Sequence, residues 1–172
     1  MSTRSNIILS NKECRIILYR HHDGYPAENG ADILAAMRGM NRYGGLPSIA
    51  TALLAMRYEK QSYEPAARPI YEITDSIHGD IEWVYEVREN RAAGRIRVRV
   101  AARPKNWAEE AGDDGFGVER WCDEGSWMSV DEFRELINKD RAEHNARLEV
   151  LKASSVAYRD YQGYPMIEKE AA

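Results

Sequence analysis

Cysteine is nearly absent from this 172-residue chain: Cys14 and Cys122 stand far apart with no partner motif. That argues against a disulfide framework and against a cysteine zinc site, and leaves two reduced thiols packed as small hydrophobes. Long apolar runs are missing too. No segment has the length of a membrane span, and the opening residues lack the basic-then-apolar layout of a secretory signal. A cytoplasmic protein without membrane contact is the expectation. There is no glycine-rich phosphate loop, no histidine pair at the helical spacing of a zinc protease and no activated-nucleophile motif. No cofactor is expected, and any catalytic group has to come from histidine, tyrosine and carboxylates.

What is present is a globular composition, 44% hydrophobic and 30% charged, in a chain long enough to bury a core as one domain over residues 1–172. The net charge of −4 is unevenly spread. Eleven acidic residues against three basic ones fall between 106 and 140, whereas residues 1–60 are net basic. Asp113, Asp114, Glu119, Asp123 and Glu124 are the heart of that acidic stretch, with Asp131 and Glu132 beyond it. Such a patch repels nucleic acid and attracts basic protein surfaces, so direct nucleic-acid binding is disfavoured and an acidic interaction surface is a candidate.

Hydrophobic periodicity orders the chain. Ile7 to Leu9 and Arg15 to Arg20 form a hairpin around a polar loop, and the second strand, apolar on both faces, is expected to be central. Ile33, Leu34, Met37 and Met40 lie at helical spacing. A Gly44-Gly45 stop and Pro47 then introduce a second helix carrying Ile49, Leu53 and Met56. Ile81 to Arg88 and Arg95 to Ala101 make a second hairpin. Residues 104–128 form an acidic, glycine-rich excursion pinned by Trp107, Phe116, Trp121 and Trp127. A capping box, Ser129 to Glu132, opens a long third helix from about 130 with Phe133, Leu136, Ile137, His144, Leu148 and Leu151 on its stripe. The expected fold is α+β, an antiparallel sheet of about four strands with helices packed on it in the order β-β-α-α-β-β-α.

The chemistry-bearing stretch is Leu18-Tyr19-Arg20-His21-His22-Asp23-Gly24-Tyr25-Pro26, at the exit of the second strand. Alternation puts Tyr19 and His21 on one face and Arg20 and His22 on the other. Tyr19, His21, Asp23 and Tyr25, joined by Arg4, form the candidate binding site, with His21 and Asp23 as the candidate acid/base pair. The same residues also suit a plain turn, Asp23 capping it and Gly24 supplying an unusual backbone angle. A metal held by His21 or His22 with Asp23, His78 and Asp80 is a weaker alternative, since the two adjacent histidines point apart. Arg95, Arg97 and Arg99 alternate with Ile96, Val98 and Val100. They are candidates for anion binding, or for ion pairing with Asp80, Glu82 and Glu86 on the neighbouring strand.

Thr3, Arg4, Ser5, Ile7, Tyr19, His21, Asp23, Gly24, Tyr25, Pro26, Gly30 and Leu34 together resemble a family of small proteins of phages and bacterial mobile elements. Those proteins open with Thr-Arg-Ser-x-Ile and continue with Tyr-x-His-aromatic-Asp-Gly-Tyr-Pro. Gly79-Asp80-Ile81-Glu82-Trp83-Val84-Tyr85 is similar to a second pattern of the same family, and position 22 departs, with His for an aromatic. The resemblance implies a habitat and a set of positions rather than a reaction. It implies a small cytoplasmic accessory protein that binds a host macromolecule, for instance as a defence inhibitor, or a small ligand. The alternatives are an enzyme using His21 and Asp23 and a nucleotide-sequestering pocket using the arginine row.

Overall fold

Two hairpins supply the centre of a six-stranded mixed sheet whose one face is covered by three helices; the computed structural model describes residues 3–38, 45–58, 68–90, 95–104 and 125–153. Strands β1 (Ser5–Ser10) and β2 (Arg15–Arg20) pair antiparallel, from Ser5↔Arg20 to Ser10↔Arg15. Their loop is closed by Asn11, whose Oδ1 accepts the N–H groups of Glu13 and Cys14, both at 2.8 Å. An asparagine side chain standing in for a backbone acceptor is what makes so short a polar turn stable. β4 (Trp83–Asn90) and β5 (Arg95–Ala102) form the second antiparallel pair.

The expected sheet needs correcting in strand number and in direction. β1 and β4 run parallel, Ser5 beside Trp83 and Ser10 beside Arg88, so the two hairpins are joined through a parallel seam. Two further strands extend the edges, β3 (Tyr71–Thr74) outside β2 and β6 (Trp127–Met128) outside β5, giving the order β3-β2-β1-β4-β5-β6. A parallel neighbour needs a long crossover, which the helical segments between β2 and β3 supply. The α+β class stands, as a mixed six-stranded sheet with helices on it.

After β2 the chain makes a π-helical turn, Pro26–Gly30, and enters α1 (Ala31–Arg38), followed by α2 (Gly45–Ala55). These helices bury Ile33, Leu34, Ala36, Leu46, Ile49, Ala50 and Leu53 against Ile7, Leu9, Leu18, Val87 and Val98 of the sheet. Each fully buried isoleucine, leucine or valine among them contributes roughly 1.5–3 kcal/mol by leaving water. α3 (Val130–Ala153) starts at the capping box: Ser129 N–H donates to Glu132 Oε2 at 2.6 Å and Glu132 N–H to Ser129 Oγ at 3.2 Å. Phe133 and Ile137 of its first turns are buried, and Gly30 lies so close that a Cβ there would stand 2.8 Å from the Ile137 side chain. From Arg141 to Arg147 the helix is exposed. Of the expected stripe, the side chains of Leu148 and Leu151 lie outside the described residues.

The other face of the sheet carries a smaller apolar cluster, Ile8, Ile17, Tyr19, Ile81, Val84 and Ala101, with Ile77 packed on it from the β3–β4 loop. β2 is therefore covered on both faces. Asn6, fully buried, holds that loop by donating to the Leu18 carbonyl at 3.0 Å and accepting the His78 N–H at 2.9 Å.

Burial raises the Tyr85 phenol well above its ordinary value, and burial followed by the Asp32 charge raises that of Tyr71. A group whose folded value lies above its unfolded value of 10.0 gives its full stabilisation below that pH and loses it as the pH climbs towards the folded value. Urea denaturation should therefore show stability declining above pH 10, in step with the ultraviolet absorbance of tyrosinate. A flat stability through the alkaline range contradicts this.

Candidate functional site

The turn after β2 sends the motif residues to two sides of the sheet. On the face opposite the helices, the Tyr19 ring stacks on His78 (centroids 4.0 Å, 18° between planes), and His21 meets its edge at 4.6 Å and 86°. The Tyr19 hydroxyl lies 3.3 Å from both carboxylate oxygens of Asp80, which also receives Nη1 of Arg4. His21 Nε2 is 3.1 Å from Glu72 Oε1, both side chains about half exposed. His78 Nε2 and Thr74 Oγ1 are 3.0 Å apart. Arg4, Tyr19 and His21 thus share one face with Glu72, His78 and Asp80, drawn from β2, β3, the residue before β1 and the β3–β4 loop. Burial first, and the Asp80 charge next, raise the Tyr19 phenol above its ordinary value, so it remains a protonated donor.

Asp23 and Tyr25 take other roles. Asp23 has φ of 54°, a left-handed conformation that aspartate tolerates better than most residues. Gly24 then packs so tightly under β1 that a Cβ would lie 2.8 Å from the Arg4 carbonyl carbon. Its N–H donates to the Thr3 carbonyl at 2.9 Å and its carbonyl accepts the Tyr85 hydroxyl at 2.7 Å. Tyr25 stands before the π-turn and stacks on His144 of α3 at 5.8 Å, on the helix side. The carboxylate 3.1 Å from His21 is Glu72, a partner that sequence spacing gives no means of finding.

The helix side holds a buried polar hub. Arg20, 4% exposed, donates through Nη1 to Asp32 at 2.7 Å and to the Tyr71 hydroxyl at 2.8 Å, and through Nε to the His22 carbonyl at 2.6 Å. Tyr71 donates to Asn29 or Asp32, and Asn29 to Ser5 Oγ at 2.9 Å. Burial opposes the Arg20 charge, but Tyr71 and Asp32 outweigh it and the guanidinium stays protonated. The only hint of this hub in the sequence is polar Ser5 and Arg20 inside apolar strands.

The arginines of β5 project from the face that carries Tyr19. Arg99 bonds Glu86 Oε2 at 2.6 Å, with Arg88 on Oε1 at 2.7 Å, and both guanidinium groups lie over the Trp127 ring. Arg97 donates to the carbonyls of Trp127 and Met128, while Arg95 is exposed. Glu86 is thus one of the three expected partners, and Asp80 turns to Arg4 instead. Asp113, Asp114, Glu119, Asp123 and Glu124 lie outside the described residues, as do Trp107, Phe116, Trp121 and Cys122. Among the described residues no three His, Cys, Asp or Glu side chains gather as a metal-binding group, and no helix is long and apolar enough to cross a membrane. Comparison with protein families, with curated proteins and with solved structures returned no match.

Proposed function

We propose that this protein works by binding rather than turnover, as a cytoplasmic accessory protein of a phage or mobile element that occupies a host protein. Its contact surface is the cluster of Arg4, Tyr19, His21, Glu72, His78 and Asp80. The observation that carries this reading is the way the cluster's groups are committed: Arg4 and Tyr19 to Asp80, His21 to Glu72, His78 to Thr74. Such an array offers donors, acceptors and ring edges in a fixed pattern, and its phenol is held protonated rather than poised as a base. The resemblance of the Tyr-x-His-x-Asp-Gly-Tyr-Pro stretch to phage proteins supports the habitat.

Affinity capture from bacterial lysate, followed by titration of the purified captured protein, separates the readings. His21→Gln with Glu72→Gln should weaken capture about tenfold or more, as expected when a central polar contact is removed. Reversing Asp113, Asp114, Asp123 and Glu124 to lysine should leave it within about threefold, since the contact surface proposed here does not include them. The opposite pattern moves the contact to the acidic stretch. The His21–Glu72 pair also favours a second reading, acid/base catalysis. It predicts that His21→Gln alone abolishes turnover of a small substrate in a protein that still melts normally.

A further inference from the structure

We propose that the edge of β3 left unpaired among the described residues pairs antiparallel with β3 of a second copy of this chain, joining two sheets and bringing two candidate sites together across a twofold axis. β3 ends the sheet and, among the described residues, pairs only with β2. Edge strands are normally guarded by proline, lysine or an outward charge. β3 has neither proline nor lysine within Tyr71–Thr74, and the Oε1 of its one carboxylate, Glu72, lies 3.1 Å from His21 Nε2. At its middle stands Ile73, 66% exposed, the exposed large hydrophobic side chain among the described residues. Ile73 borders an open groove of about 500 Å³ between the sheet edge and α2, floored by Ile16, Pro47, Ala50 and Leu54.

Charge and shape select the second copy as occupant and fix the register. A twofold axis perpendicular to the sheet keeps each side chain on its own face, so a residue of the strand must face itself. Centring on Glu72 sets two carboxylates against each other, and centring on Thr74 sets Ile73 against Asp75; both are unfavourable. Centring on Ile73 sets isoleucine against isoleucine over the two grooves, and Glu72 against Thr74 of the second copy. In that register the opposed side chains come within about 5 Å. The His21–Glu72 pair of one copy then adjoins the Thr74–His78 pair of the other. The dimer stands on the edge geometry alone; the statement that it builds one composite contact surface rests on the binding function proposed above.

Sedimentation velocity of the full chain, from low to high micromolar concentration, should show a reversible dimer. Ile73→Lys should raise the dissociation constant about 30-fold or more by facing two ammonium groups across the axis, while melting as the wild type does at concentrations low enough for both to be monomeric, because Ile73 is solvent-exposed in the single chain. In a Cys14→Ser, Cys122→Ser background, mild oxidation should crosslink the I73C chain to its copy and leave T74C uncrosslinked. A single-chain mass at every concentration overturns the proposal, as does a dimer indifferent to I73K, crosslinking favoured by T74C, or one chain per particle with a foreign peptide on the edge. If I73K is monomeric yet captures the host protein with unchanged affinity, the composite surface fails and the binding function stands. Loss of capture by the His21→Gln, Glu72→Gln protein with its dimer intact supports both.

Discussion

Replacing Gly24 by valine is expected to cost about 3–5 kcal/mol, enough to leave much of the protein unfolded. A Cβ there would sit 2.8 Å from the Arg4 carbonyl carbon and 2.9 Å from the Ser5 Cβ, contacts with backbone and strand that no rotamer change relieves. The displaced turn would also lose the bond from Gly24 N–H to Thr3 and that from the Tyr85 hydroxyl to the Gly24 carbonyl. Tyr85 is fully buried, so its hydroxyl would be left without an acceptor, adding to the steric cost. Glu28→Ala, in the same turn but exposed, should change stability by less than about 0.5 kcal/mol. Urea midpoints for the two variants check this. Equal, small losses would show that the turn is looser than its packing implies.

Arg20→Met is expected to destabilise by about 3 kcal/mol. Asp32 is 30% exposed and keeps some water, which places the loss at the low end of the range for breaking a buried ion pair. Removing the cation leaves Asp32, Asn29 and the Tyr71 hydroxyl to compete for the remaining donors, and frees the His22 carbonyl from its bond to Nε. Adding Asp32→Asn to Arg20→Met should recover part of the loss, because the uncompensated carboxylate is then gone. Chemical denaturation of the four proteins in that cycle reads the coupling directly. Additive losses from the two single changes would mean that the hub is not a unit.

How much of this was legible depends on how local the signal was. Strict alternation in Arg95 to Val100 and the continuous apolar run Ile16 to Tyr19 located both hairpins, and the Ser129–Glu132 capping box placed the start of α3, because each signal lies within a few residues. The parallel seam was not legible: Ile7, Leu9, Tyr85 and Val87 would look the same beside an antiparallel neighbour. β3 was missed because Tyr-Glu-Ile-Thr is four residues long and turns its isoleucine towards water. At the site, alternation brought Tyr19 and His21 to one face. The turn that diverts Tyr25 to the helix side depends on how Gly24 packs beneath β1, which spacing does not encode. Glu72 reaches His21 only because the unforeseen β3 lies beside β2.

The parallel seam also sets a timetable for the growing chain. β1 has β2 on one side at once, but its other side waits for β4, which is complete only when Asn90 has been made. Synthesis of the residues between Arg20 and Asn90 takes about 4–14 s at the usual rates of elongation. Through that interval the N-terminal hairpin carries Ile7, Ile8 and Leu9 along an unpaired border, a template on which neighbouring nascent chains can stack. Cells making the protein in quantity should therefore lose more of it to aggregation when translation stalls between the two strands than when it stalls after β5.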